Sequence, residues 1–218
     1  IPRRVSGYNL DELLPENGFH VARALVCTEG TCVTVLSATV QLIHNTPYRS
    51  LLVVGYPHVF QAGDAVKTVL EYKPIGLEGM DEFFIRNMKK KGMHLPEIAL
   101  LPAGESWLLI EFGGATAAEA EESAQRLITR LKRETKPPVL KLFTNPHEQK
   151  LIWSVRESTF GASVFVPGEP DTYAGFEDSA VPPALLGDYL RELQKLYDKY
   201  EYSSITYGHF GDGCIHSR

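Results

Sequence analysis

The feature that most constrains the fold is an alternation of short apolar segments with amphipathic ones, which begins near residue 50. Four segments rich in Val, Leu, Ile, Phe and Thr indicate strands, and they are 50–56, 106–112, 139–143 and 204–209. The intervening segments carry apolar residues every three or four positions, as one face of a helix does. We predict an α+β domain with a mostly antiparallel sheet and helices packed on one side, although a parallel α/β sheet would show the same alternation.

Three helices have recognisable starts. Asp81 can cap a helix by accepting a backbone N–H from its first turn. Thr116 followed by Glu119 is a capping box, and the helix behind it has an apolar stripe of Ala120, Ala124, Leu127, Ile128 and Leu131. The pair Pro182-Pro183 favours a helix start. That helix is predicted to run to about Tyr200 with these residues turned inward: Leu186, Leu190, Leu193, Tyr197 and Tyr200.

Residues 1–43 form a separate block, and Cys32–Ile43, rich in Val, Thr and Leu, is predicted to be a strand. The loop His44–Arg49 is the predicted domain boundary. The chain begins at Ile1 without a methionine and stops at Arg218 in what is predicted to be a strand, so we expect that both ends were cut.

Composition excludes several classes of protein. The net charge of −5 argues against nucleic-acid binding. No apolar run reaches the roughly 20 residues that span a bilayer. Three cysteines without a CxxC pair argue against a disulfide framework and favour a reducing cytoplasm.

The segment Tyr207–His216, which reads YGHFGDGCIH, carries the chemistry. Asp212-Gly213 is typical of a two-residue hairpin turn, which would pair His209 with His216. Directly opposed residues have Cβ atoms about 4.5–5.5 Å apart on one face of the sheet. Two imidazoles at that spacing can bind one divalent cation, with at least one further ligand from elsewhere. The alternative is a structural hairpin whose histidines only form hydrogen bonds.

This segment resembles the His-x-x-Gly-Asp-Gly-x-x-His signature of the FAD-linked oxidase C-terminal domain, found in D-lactate, glycolate and D-2-hydroxyglutarate dehydrogenases of the vanillyl-alcohol oxidase superfamily. The sequence of this segment is most similar to that of large family members that are fused to an iron–sulfur module. Five further segments match the family in the same order: Ser6–Leu10, Cys27–Thr31, Leu77–Asp81, Trp153–Glu157 and Glu177–Pro182.

The resemblance implies two parts. Residues 1–46 would be the tail of a PCMH-type FAD-binding domain, and residues 47–218 a ferredoxin-like cap domain that lacks its C-terminal end. The full-length protein from which the chain was cut would oxidise a small 2-hydroxy acid by hydride transfer to FAD. It could also contain an iron–sulfur cluster in a further C-terminal module. The electron acceptor and a homo-oligomeric state stay open.

The resemblance also assigns residues. His209 and His216 would be catalytic and would bind a divalent metal, zinc or a similar ion, together with a Glu beyond Arg218. Arg156 would grip the substrate carboxylate through a bidentate fork, and Arg218 would be a second carboxylate contact. The FAD site would be lined by a strip of four residues, Thr28, Glu29, Gly30 and Thr31. For these four a polar turn is the alternative, and for Arg156 a surface ion pair.

A second function stays open, namely a non-catalytic α+β module that binds a ligand or partner on the same scaffold. The enzyme hypothesis requires the His209 and His216 imidazoles to converge beside Arg156, whereas a module could leave them splayed. We expect the chain alone to be inactive, because the Gly-rich loop that binds the FAD pyrophosphate precedes Ile1 in the family.

Overall fold

The computed structural model describes residues 7–170, 172 and 178–218, with Thr159 and Phe160 described by their backbone alone. The described residues fall into two compact units, which divide between Asn45 and Thr46. In the part of the chain that is described, no helix has both the length and the apolar character needed to cross a bilayer.

The first unit consists of two 3-10 turns, Leu10–Leu13 and Pro15–Asn17, and a short helix α1, Val21–Ala24. The predicted strand Cys32–Ile43 is wrong, since this segment has no regular structure. Its apolar side chains are exposed, Leu36 by 93% and Ile43 by 91%. A strand forms only where a neighbour bonds its backbone N–H and C=O groups, and no described strand pairs with this segment.

The second unit is built on a seven-stranded sheet in the order β4-β1-β3-β2-β6-β7-β5. The strands are β1 Tyr48–Tyr56, β2 Gly76–Asp81, β3 Ser106–Gly114, β4 Val139–Phe143, β5 Asp178–Ala180, β6 Thr206–Gly208 and β7 Cys214–Ser217. Every neighbouring pair is antiparallel. The predicted α+β class is therefore confirmed, and the parallel alternative is excluded.

The helices of this unit are α2 Val59–Leu70, α3 Glu82–Lys90, α4 Leu95–Ile98, α5 Ala117–Leu131, α6 Pro146–Glu157, α7 Thr159–Ser163 and α8 Leu186–Tyr200. The predicted caps are present, because Asp81 accepts the Phe84 N–H and Thr116 accepts the Glu119 N–H. Tyr200, predicted to face inward, is 55% exposed. Helix α8 buries only residues of its first half, of which Leu190 is the last, so its final turn carries no core contact.

The helices cover both faces of the sheet, which corrects the prediction of a single helical layer. Leu52 and Val54 of β1 pack in one cluster with α2, α5 and α8. Leu51 and Val53 point the opposite way, into a second cluster with α3, α4, α6 and α7. A strand whose successive residues are all apolar is buried on both faces, and Leu51–Val54 is such a run. The imidazole-bearing hairpin β6–β7 lies on this sheet between β2 and β5.

Candidate functional site

The β6–β7 hairpin has a longer loop than the sequence predicts. Tyr207 pairs with His216, so the predicted pairing of His209 with His216 is wrong by two residues. Phe210–Asp212 form a 3-10 turn, and the N–H groups of Asp212 and Cys214 both donate to the His209 carbonyl. A two-residue turn of the predicted type needs positive φ at both central residues. Only Gly213 of the two has it, with φ 69°.

The shift of register leaves His209 and His216 on one face of the sheet, because side chains alternate with a period of two residues. Their ring centroids lie 5.4 Å apart, with the rings nearly perpendicular at 79°. We call these two side chains the imidazole pair. Phe210 and Ile215 project together into the first core cluster and are fully buried.

Glu78 of β2 lies beside His209. Gly79 pairs with Gly208, so the next residues along the two strands, Glu78 and His209, oppose each other. The His209 Nδ1 is 2.8 Å from Glu78 Oε1. Gly79 makes room for the hairpin loop, because a β-carbon there would lie 2.4 Å from the Phe210 ring.

Helix α6 brings Arg156 to the other oxygen of the same carboxylate. Its Nε and Nη2 donate to Glu78 Oε2 at 3.1 and 2.7 Å. Arg156 is 8% exposed, and its guanidinium carbon lies 5.2 Å from the centre of the Tyr207 ring. Arg156 is therefore a buried, ion-paired arginine and not a surface one.

Asp178 of β5 holds the second imidazole. It pairs directly with His216 across β5 and β7, and its Oδ1 lies 2.5 Å from the His216 Nδ1. Tyr207 packs on the other side of His216, with ring centroids 5.0 Å apart. Each imidazole thus has a carboxylate at its Nδ1. The contacts follow one another from Arg156 to Glu78, His209, His216 and Asp178.

Asp81 fixes β6 against β2. Its carboxylate caps α3 through the Phe84 N–H and accepts the Thr206 N–H at 2.7 Å. Burial raises the pKa of the Asp81 carboxyl to about 7, although both backbone N–H groups lower it. Because Thr206 begins β6, Asp81 helps to set the position of the strand that leads to His209.

The donor chemistry of the imidazole pair suits two of the ligands that a divalent cation needs. An ionised carboxylate only accepts hydrogen bonds, so each Nδ1 bonded to one carries a proton, and the lone pair of a neutral ring is then on Nε2. Metal-binding histidines have this arrangement, in which the other ring nitrogen bonds a carboxylate. Neither Nε2 has a hydrogen-bond partner among the described residues. Within the same residues no group of three His, Cys, Asp or Glu side chains could hold an ion.

Arg218 lies on the same side of the sheet as the imidazole pair. It bonds Ile205 through both backbone groups, and its Nη1 donates to Ser163 Oγ at 3.2 Å. Arg218 and Asp178 also line an open cleft of about 750 Å³, which the two histidines and Arg156 do not line. Arg218 therefore shares a cleft with Asp178, the carboxylate that bonds His216.

The predicted FAD strip, Thr28, Glu29, Gly30 and Thr31, lies in the first unit. It forms a turn in which Glu29 and Gly30 have positive φ. Thr28 is buried and donates to the Leu25 carbonyl, and Thr31 bonds the Thr28 carbonyl. The two threonines thus stabilise the turn, while Glu29 and Gly30 are exposed.

Sequence reasoning did not identify Glu78 and Asp178 as site residues. Both lie in segments that match the family, 77–81 and 177–182. Glu177 of the second segment is outside the described residues, as is Ser6 of the matching segment Ser6–Leu10. Glu78 could have been identified because it is a charged residue in β2, a strand in which Leu77 and Met80 are buried. Nothing in the local sequence predicts which imidazole each acid contacts.

The chain is similar in sequence to several known proteins. The chain is 26% identical to the D-2-hydroxyglutarate dehydrogenase of Pseudomonas putida, over 99% of this chain and 22% of that protein. It is 26% identical to the D-lactate dehydrogenase of Archaeoglobus fulgidus, over 92% of this chain and 42% of that protein. It is 24% identical to the glycolate oxidase subunit GlcD of Bacillus subtilis, over 91% of this chain and 41% of that protein. The chain thus spans between about a fifth and two fifths of these relatives.

A family profile matches the second structural unit. Residues 46–218 match the family described as FAD linked oxidases, C-terminal domain. This range contains the whole sheet, the imidazole pair and Arg156. Over most of its length, this chain therefore belongs to the family of FAD linked oxidases, C-terminal domain.

Proposed function

We propose that this chain forms the substrate side of an FAD-dependent oxidoreductase that oxidises a D-2-hydroxy acid, of the D-lactate, glycolate or D-2-hydroxyglutarate type. The observation that carries the proposal is the imidazole pair, whose centroids are 5.4 Å apart and whose Nδ1 atoms both bond carboxylates. The relatives' names supply the substrate class. Residues 1–46 would belong to the FAD-binding part, with Thr28–Thr31 beside the cofactor.

His209 and His216 would hold a divalent ion, zinc or a similar metal, through their Nε2 atoms. A bound ion supplies Lewis acidity that lowers the pKa of a substrate hydroxyl, and FAD supplies the hydride acceptor. Glu78 and Asp178 keep the two rings in one orientation. The residues of this chain would thus hold the ion, which would supply positive charge for the hydroxyl and carboxylate of the acid.

Arg156 supplies positive charge for an anionic substrate. Glu78 takes the N–H of Nε and one N–H of Nη2, which leaves the two N–H groups of Nη1 and the second N–H of Nη2 for a carboxylate. The substrate carboxylate would therefore accept from the Nη1/Nη2 end of the guanidinium, which can still form a bidentate fork. Arg218, which lines the neighbouring cleft, would be the second cationic contact.

A cation titration of the chain tests the ion site. Zn²⁺ or Mn²⁺ added to the purified chain is followed by calorimetry, in parallel with His209→Ala and His216→Ala. Loss of an outer-shell partner of a metal ligand lowers metal affinity roughly 10–100-fold. Each of these variants loses a ligand itself, so we expect its affinity to fall by more than that. His147→Ala, an exposed histidine at the start of α6, is the matched control and should bind as the wild type does.

A flavin assay tests the reaction. The chain joined to an FAD-binding domain is mixed with a panel of D-2-hydroxy acids, and the loss of flavin absorbance is followed. We expect one class of acid to reduce the flavin, and we expect His209→Ala and His216→Ala to abolish the reduction. Full activity of either variant would refute the role of the imidazole pair, and no reduction by any 2-hydroxy acid would refute the substrate class.

A further inference from the structure

Glu78 divides its two oxygens between two different partners. Oε2 takes both donors of Arg156, and Oε1 takes the His209 Nδ1. The Arg156 and Glu78 side chains are only 10% and 15% exposed, so water competes weakly for either oxygen. Asp178 has a simpler environment, because the only hydrogen bond of its carboxylate to a described residue is that to His216.

We propose that Glu78, held in one orientation by Arg156, determines which nitrogen of His209 carries the proton. Arg156 has donors only and Glu78 has acceptors only. With Oε2 bonded to Arg156, Oε1 accepts from Nδ1–H, and the lone pair of His209 stays on Nε2. Arg156 and Glu78 are then positioning residues for the imidazole pair. This inference rests on the proposed ion site only for its second readout, the affinity for a cation.

The substitution Glu78→Gln separates this role from simple packing. A glutamine has one carbonyl oxygen and one NH₂ group. Arg156 needs an acceptor, so the carbonyl oxygen turns to Arg156 and the NH₂ group faces His209. The Nδ1 must then accept, the proton moves to Nε2, and His209 can no longer ligate a cation without losing that proton.

The corresponding change at Asp178 should behave differently. No described arginine or lysine bonds its carboxylate, so the amide of Asp178→Asn is free to present its oxygen to the His216 Nδ1. The His216 tautomer is thus expected to survive an amide substitution that reverses the His209 tautomer. A structural role shared by both carboxylates would not produce this asymmetry.

The experiment reads the tautomers directly. The full 218-residue chain is labelled with ¹⁵N, and ring-nitrogen shifts, which differ between protonated and unprotonated nitrogens, assign the proton in each histidine. We expect Glu78→Gln to move the His209 proton from Nδ1 to Nε2 and to weaken Zn²⁺ or Mn²⁺ binding about 10–100-fold. We expect Asp178→Asn to leave the His216 proton on Nδ1.

Glu111→Gln is the matched control. Glu111 is also a buried glutamate paired with an arginine, Arg49, at 2.6 Å, but among the described residues no imidazole bonds it. Its replacement removes a glutamate–arginine ion pair from the same sheet, in which the arginine side chain is 43% exposed and donates through Nη1. We expect both tautomers and the cation affinity to stay at their wild-type values.

A double variant provides the rescue. Arg156→Met in the Glu78→Gln background removes the donors that hold the amide oxygen, so the oxygen can turn to His209 and the proton returns to Nδ1. Arg156→Lys in the same background keeps a cationic donor and should not rescue. If the methionine double variant does not fold, the single variant still decides, because its tautomer is measured directly.

The outcomes distinguish this inference from the proposed function. A His209 proton that stays on Nδ1 in folded Glu78→Gln overturns the inference, as does an equal change of tautomer in Asp178→Asn. A wild-type chain that binds neither Zn²⁺ nor Mn²⁺ counts against the ion site of the proposed function. The tautomers of His209 and His216 test the inference in either case.

Discussion

The buried carboxyl of Asp81 should make the stability of this chain fall as pH rises. The folded-state pKa is about 7, against the ordinary value of 3.8, because the side chain lies between α3 and β6 with only 5% of the residue exposed. A carboxyl with a raised pKa contributes its full stability below the unfolded pKa and loses it as pH rises through the folded pKa. The loss therefore falls between about pH 4 and pH 7.

The magnitude follows from the size of the shift. One pKa unit corresponds to about 1.4 kcal/mol, so a shift of about 3 units corresponds to about 4 kcal/mol between the two ends of that range. Asp81→Asn removes the titration but keeps one acceptor for the Phe84 N–H. The variant is expected to be less stable than the wild type at pH 5, because the Thr206 N–H loses its partner. The difference should then shrink by about 1.4 kcal/mol per pH unit towards pH 7.

Urea unfolding of both proteins at half-unit steps from pH 4.5 to pH 8 measures this difference. The other carboxylates titrate in both proteins, so they cancel when one free energy of unfolding is subtracted from the other. Asp198→Asn, an exposed acid on α8, is the control and should give a constant difference. Parallel curves for the wild type and Asp81→Asn would refute the reasoning, since burial would then not disfavour the ionised carboxyl.

Two further predictions concern a loop and a helix cap. A β-carbon at Gly213 would lie 1.9 Å from the Val181 oxygen, whereas one at Gly92, with a similar φ of 67°, meets nothing within 4 Å. Gly92→Ala should therefore lower the free energy of unfolding only by about 1–2 kcal/mol, which is the cost of a left-handed backbone for a residue with a β-carbon. Gly213→Ala should lower the melting temperature more than Gly92→Ala does, and it should also weaken cation binding. Equal melting shifts of the two variants would contradict the steric argument. Thr116→Ala should lower the free energy of unfolding by about 1 kcal/mol through loss of the α5 cap. Thr129→Ala, on the exposed face of the same helix, should change it by less than about 0.5 kcal/mol, and equal losses would argue against the cap.

The sequence predicted the parts of the fold that depend on local chemistry. Strand β4 was predicted at 139–143, where it occurs, and the caps Asp81 and Thr116 were both correct. The five-residue stripe of α5 is buried throughout. Hydrogen bonds of a cap reach only three or four residues, and the period of a helix repeats within a few turns, so a short window of sequence is enough to specify them.

The sequence also determined that His209 and His216 share a face, because strand alternation preserves a face whenever register shifts by two residues. Only the tertiary structure decided the register itself, since the backbone angles of Asp212 depend on how the loop packs, with Phe210 against Gly79. It likewise decided that Glu78 contacts His209 and Arg156 together. These three residues are separated by up to 131 positions in the chain, and contacts between distant segments depend on how the sheet and α6 pack and not on local preference.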